Sequence, residues 1–402
     1  MNDVLFCSAV AIMGQAPALQ FSAGPSFGKA PPVGLKPLSF GARGGSVSVK
    51  REWNEANWKV EALDPVPLDF PLERTRREIH GSNASQVAER ISKTLRLLSV
   101  EAEYDGEKAK AKCKTNDMVS FRIRLFAGDE GQQQPVIVEI QRRSGSPSCF
   151  MRVCRQILDG AEGMEIAAET VPARKKMPPF MAKAPVGGLK CIQQASLARD
   201  PQAEANSSIE KCLVLLRSKE KDTNALGLEN LLHMTDPLKT RPDIALIVCK
   251  QVISGENSVE IREEIGAMLQ KDVFVPEEFE ANSMKEVFEK CRHLCLCLLS
   301  NVLGLTSKDG CLEGAIKSEK WFADLICTLL DEVKAFEESS NNAYEAASGL
   351  TALATCSEVA RRLMKDNTAV EDLQAAYAFA KVNHELLANE TERSLQALGH
   401  AP

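Results

Sequence analysis

The sequence predicts a protein in two parts. A small two-layer α+β domain, an antiparallel sheet carrying two helices, is followed by an all-α domain, an α-solenoid of stacked helix pairs. Three observations predict it. A chain of 402 residues is too long for one ordinary core. Charge divides along it: residues 71–190 hold 21 Lys and Arg against 15 Asp and Glu, whereas residues 191–402 hold 22 against 34. Proline divides too. Of 19, only Pro237, Pro242, Pro276 and Pro402 lie beyond residue 205, where helical spacing takes over. Hydrophobic content of 44% and charged content of 26% are ordinary for a globular protein. No apolar run approaches the roughly 20 residues that a membrane-crossing helix needs.

Residues 1–65 read as a disordered segment; residues 14–50, rich in Gly, Pro, Ser and Ala, bury too little apolar surface to offset their ordering entropy. The opening "MNDVLFCSAVAIM" has an apolar run but only Asp3 before it, unlike a secretory signal. Residues 4–50 contain no acidic residue, as in an organelle presequence, so targeting and a plain tail both stay open. "FGARGG" has the flavour of a phosphate loop without the flanking strand and helix.

The α+β domain spans residues 70–165. Val87, Ile91, Leu95 and Leu98 fall on one face of a helix over 84–100, which Ser82 or Asn83 can cap. A strand follows near 101–114, a turn at "TND", and a second strand at 118–126, where Phe121, Ile123 and Leu125 alternate with Arg122 and Arg124. A third strand covers 135–143. A short helix over 149–158 buries Phe150, Val153, Cys154, Ile157 and Leu158. Positive charge falls on alternate residues, at Lys108, Lys110, Lys112 and Lys114, then at Arg122 and Arg124, so one sheet face is expected to carry all of it. The plain alternative is a solvated face whose lysines discourage edge pairing.

"VSFRIRLF" and "PVIVEIQRRSGSPSCFMRVCRQIL" resemble the kinase-associated C-terminal domain of microtubule-affinity-regulating kinases. The shared pattern is Ile91 and Leu95 on the first helix, Arg142 and Arg143 ending a strand, Ser144 and Gly145, then Phe150 opening the last helix. The likeness covers residues 75–160. It implies binding of anionic phospholipid headgroups, or contact with a kinase domain, through Arg90, Lys93, Arg142 and Arg143. Gln141 stands where relatives often add a further cation. No kinase domain accompanies it: the Gly-rich loop, His-Arg-Asp and Asp-Phe-Gly are missing from the sequence.

Residues 166–205 read as a linker and 206–400 as the helical domain. Helices are expected over 207–217, 223–235, 242–254, 258–271, 284–304, 312–336, 341–365 and 369–397. Leu215, Leu216, Asn224, Ala225, Leu228 and Leu231 share a plan with Leu329, Leu330, Asn342, Ala343, Ala347, Leu350 and Leu353. That plan is similar to armadillo or HEAT repeats, with an irregular helical bundle as the alternative. Such repeats bind partners on a concave face, and the acidic balance here suits a basic one.

The 13 cysteines are odd in number, and several, such as Cys212, Cys249, Cys295 and Cys327, sit in apolar helical patterns. This points to reduced thiols and a cytoplasmic protein, which lipid binding would place at a membrane periphery. "CRHLCLC" tempts a zinc reading, but Cys297 lies about 200° around a helix from Cys295, so core cysteines are expected and no metal or other cofactor. His233, His293 and His384 form no recognisable catalytic arrangement. Tyr104, Phe121 and Phe126 are too few to stack nucleic-acid bases. The expectation is a non-enzymatic adaptor. It would bind anionic phospholipid through Arg90, Lys93, Lys108, Lys110, Lys112, Lys114, Arg122, Arg124, Arg142 and Arg143, and an unidentified protein partner through the helical part. A pure protein-interaction or kinase-regulatory module is the alternative.

Overall fold

The computed structural model describes residues 58–128, 135–165, 200–255, 257–270, 281–318 and 320–401. The expected N-terminal segment up to residue 57, the loop at 129–134 and the linker over 166–199 lie outside them.

Among the described residues the α+β part has five strands: β1 (Arg76–Ile79), β2 (Glu101–Asp105), β3 (Lys110–Lys114), β4 (Ser120–Ala127) and β5 (Val136–Ser144). All pairs are antiparallel, in the order β1-β5-β4-β3-β2. Helices α1 (Ala84–Leu97) and α2 (Pro147–Ala161) pack on each other and cover one face. Parity decides which residues meet them. Ala111, Cys113, Phe121, Ile123, Leu125, Val138 and Ile140 alternate inward and are buried with Val87, Ile91, Leu95, Phe150 and Ile157. Asn83 caps α1 in a reciprocal box with Gln86.

Three features differ from the sequence expectation. The strand expected over 101–114 is a hairpin, β2 and β3, turned at residues 106–109. β1 was not anticipated; its four residues are too short for a periodic signal. The core begins before residue 70, because Trp58 and Val60 are 3% exposed and Trp58 stacks on Tyr104 at 5.2 Å.

Eleven further helices are described: α3 (Pro201–Leu216), α4 (Lys221–Met234), α5 (Pro242–Ser254), α6 (Ser258–Leu269), α7 (Ala281–Asp309), α8 (Leu312–Ser318), α9 (Trp321–Lys334), α10 (Ser340–Cys356), α11 (Glu358–Asp366), α12 (Ala369–Asn383) and α13 (Glu385–Ala397). The long α7 is central: α4, α5 and α6 pack on it, and so does α10, which also packs on α9 and α13. Gly349 lets α10 approach closely, since a Cβ there would meet Leu303 and Leu329 side-chain carbons at 3.2 Å. Three expected helices are each two. Extended residues break two of them: Ser357 (φ −140°) between α10 and α11, and His384 (φ −153°) between α12 and α13. Apolar spacing runs through both breaks because the helices on either side face the same core. Cys212, Cys249 and Cys295 are buried as expected, whereas Cys327 is exposed. Burial pushes the Cys212 thiol up to about 11 and that of Cys249 to about 12.

Candidate anion-binding face

The sheet face away from α1 and α2 carries the alternating charges, and register sorts them. Glu103 of β2, Lys112 of β3, Arg122 of β4 and Gln141 of β5 form one cross-strand row. Asp105, Lys110, Arg124, Glu139 and Arg76 form the next. Lys114 pairs in register with Glu101. The acids of "EAEYD" therefore answer the lysines of "KAKCK" position for position, and the face is not uniformly basic. Reading 101–114 as one strand hid this, although the acidic alternation has the same period of two.

What remains is a local surplus. Lys112 is bonded to Glu103 at 3.3 Å. Arg124 lies over the Phe70 ring, 5.1 Å from its centroid, and pairs in register with buried Glu139. Arg122 differs. Its register neighbours are Lys112 and Gln141, and its half-buried guanidinium has a buried Nε with no acceptor among the described residues. Burial, then the charges of Arg143 and Arg124, hold its pKa below the usual arginine value. Lys110 is likewise lowered by burial and by Arg122, against the pull of Asp105. Cations crowded this way favour any anion that brings oxygen acceptors.

A bulge places Arg143. The β4–β5 register slips between Ser120 and Phe121, leaving Arg143 as the extra residue of β5. Its charge acts on Arg122. Arg142 instead pairs opposite core-facing Phe121, and its Nη1 donates to the Gly145 carbonyl at 2.8 Å. The two neighbouring arginines thus serve different sides. Gly145 itself is required: φ is +88°, and a Cβ would sit 2.7 Å from Met118 O and Val119 Cα.

The other expected residues do not converge here. Arg90 and Lys93 ride on α1, across the sheet from Arg122. Arg90 joins Ser82 Oγ and the Ala161 carbonyl, and Lys93 is exposed. Lys108 lies in the β2–β3 turn, not on a strand. Of the ten, Lys110, Lys112, Lys114, Arg122, Arg124 and Arg143 share the outer side.

One edge of this face meets the helical part. Glu101 Oε1 accepts from Ser339 Oγ at 3.1 Å and from Asn341 N at 2.7 Å, at the N-terminus of α10. Ser99 Oγ accepts from Leu386 N at 2.8 Å, at the N-terminus of α13. His384 Nδ1 accepts from Leu387 N, so Nε2 carries the hydrogen that goes to Asn341 Oδ1 at 3.2 Å. Desolvation lowers the His384 pKa to about 3. Arg96 pairs with Glu385 at 3.2 Å, and Asn116 Nδ2 donates to Glu345 at 2.9 Å.

One arrangement in this seam joins two residues at i and i+4 of α7 to the sheet part. Cys297 Sγ is 3.3 Å from His293 Nε2, and His293 Nδ1 is 2.9 Å from Asn342 Oδ1. Nε2 also lies 2.8 Å from the Asn116 carbonyl, which can only accept, so that nitrogen carries a hydrogen and cannot take a proton from the thiol. The group fastens the two parts together.

Comparisons of the chain with protein-family models, curated proteins and solved structures found no match.

Proposed function

We propose that this protein is a non-enzymatic adaptor whose α+β part attaches reversibly to an anionic phospholipid surface, while its helical part holds a protein partner. The single observation that carries the lipid reading is Arg122: a half-buried arginine beside Arg143, with no acid opposite it in either neighbouring strand. Guanidinium forks suit phosphate oxygens. The likeness to kinase-associated domains supports the same reading, with the emphasis moved from Arg142 and the first helix to Arg122 and Arg143. Reading the stacked helices as armadillo- or HEAT-type repeats supports the partner role.

The test is vesicle sedimentation of the full chain. Binding to vesicles containing phosphatidylserine or a phosphoinositide should exceed binding to phosphatidylcholine and weaken with salt. Each basic residue near an acidic surface contributes about 1 kcal/mol, so Arg122→Ala with Arg143→Ala should weaken binding about thirtyfold at low salt. Arg142→Ala and Lys93→Ala should change it little. Normal vesicle binding by the double variant would remove the site. Indifference to lipid charge would favour a module that binds only proteins.

A further inference from the structure

The helical part carries an open groove of about 840 Å³ between α6 and α9, with Arg292 of α7 at its base. Among the described residues, two cations line it, and both are engaged. Arg262 is 7% exposed, stacks over Trp321 with its guanidinium 5.1 Å from the ring centroid, and donates to Ser258. Arg292 donates to the Leu269 carbonyl at 2.9 Å and pairs with buried Glu332. Among the described residues, the exposed charges at the rim are all acidic: Glu263 on α6, and Asp324 and Asp331 on α9. Among the described residues, Lys334 at 3.9 Å from Asp331 is the one ion-pair partner these three have. Between the rims lie apolar surfaces: half-buried Trp321, and Val259, which is 56% exposed. Gly266 leaves the floor open, with nothing within 4 Å of where its Cβ would be.

We infer that this groove is a docking site for a basic amphipathic helix of a partner protein. Charge complementarity selects the occupant. Asp324 and Asp331 are seven residues apart, about 10 Å along α9, which matches cations at i and i+7 of a ligand helix. An apolar side chain between them would cover Trp321 and Val259, and the volume suits a few large side chains. The chain's own residues 271–280, "KDVFVPEEFE", are apolar in part but carry one cation against four acids, the wrong sign for this rim. The inference rests on the partner-binding role proposed for the helical half, and is independent of the lipid reading.

The test uses the full chain and a fluorescein-labelled amphipathic peptide of 18 residues made of Lys and Leu, with a Glu/Leu counterpart, followed by fluorescence anisotropy. Wild type should bind the Lys/Leu peptide and not the Glu/Leu one, more weakly as salt rises. Gly266→Trp should fill the groove and weaken binding at least tenfold, with an unchanged melting temperature to show that the helix persists. Glu263→Gln, Asp324→Asn and Asp331→Asn together should weaken binding as much and flatten its salt dependence. Glu210→Gln, Asp366→Asn and Glu371→Gln, exposed acids on other helices, should leave binding unchanged. Equal binding by wild type and Gly266→Trp would overturn the groove while leaving a basic-partner role for the helical half. No binding by any variant would overturn both. Binding that appears only after deletion of residues 173–183, "ARKKMPPFMAK", would assign the groove to the chain's own basic segment and overturn the foreign partner.

Discussion

The sheet part and the helical part differ in how each satisfies its backbone. Every interior strand of the sheet is paired on both sides, and α1 is capped by its own Asn83 and Gln86. The helical part caps several helices with its own residues, Asp200 on α3, Ser339 on α10, Ser357 on α11 and His384 on α13, and borrows further acceptors for two of them. The first N–H groups of a helix have no partner within it, and a carboxylate placed there also meets the positive end of the helix dipole. For α10 that carboxylate is Glu101 of β2; for α13 a hydroxyl comes from Ser99 at the end of α1. The sheet part thus acts as a cap for its neighbour. Two parts with separate apolar cores are thus held together by polar bonds between them.

The largest expected effect breaks the sheet side of this comparison. Ile123 is 0% exposed between the sheet and its helices. Ile123→Ala should cost about 2–5 kcal/mol through lost burial and a residual cavity, read from denaturant melts. Because the sheet part caps α10 and α13, the helical signal should shift with it. A sheet transition that moves while the helical transition stays put would show that the caps contribute little.

Next comes the seam itself. Glu101→Ala removes a charged acceptor from two donors, one of them the buried Asn341 N–H, and should cost about 1–3 kcal/mol. Glu103→Ala, two residues along the same strand, loses only an ion pair whose side chains are about half exposed, and should cost no more than about 1 kcal/mol. Equal costs would mean that the contact with α10 is worth no more than a surface pair. After proteolysis between residues 166 and 199, the two fragments should still co-elute from a sizing column, and Glu101→Ala should weaken that association.

His384 supplies the pH dependence. Its folded pKa is lowered from 6.5 to about 3 by desolvation. Between those values the unfolded chain binds a proton that the folded one excludes, so stability is full above pH 6.5 and falls as pH drops toward 3. The slope from this group should approach about 1.4 kcal/mol per pH unit midway between the two values. In His384→Gln that contribution should disappear, leaving a shallower pH profile. An identical slope in the variant would assign the acid sensitivity to other groups.

The smallest effect is on the outer face. Lys112→Ala should change melting by less than about 1 kcal/mol, since Lys112 and Glu103 are both solvated. A larger loss would mean that the lysine row is a structural ladder and not a solvated one.

Alternation along the strands is legible in the residues themselves. Period two in "FRIRLF" placed Phe121, Ile123 and Leu125 inward and Arg122 and Arg124 outward, because side chains on a strand have only two sides to choose from. Helical spacing placed Leu228, Leu231, Leu329 and Leu350 in the core for a similar reason. Tertiary structure alone decided which cations lack an acid. A lysine on β3 is neutralised or not according to the residue that register sets beside it, and register depends on where the 106–109 turn falls and on a bulge at Arg143. The same holds for Asn224 and Asn342, alike in the repeat plan. Asn224 donates to the carbonyls of Leu216 and Ser218 within its own helix pair, whereas Asn342 meets His293 across helices. Short-range geometry repeats along a chain and can be read from it. A hydrogen bond between residues hundreds of positions apart, such as Glu101 with Asn341, leaves no period in the sequence, because neither residue's neighbours encode the other's position.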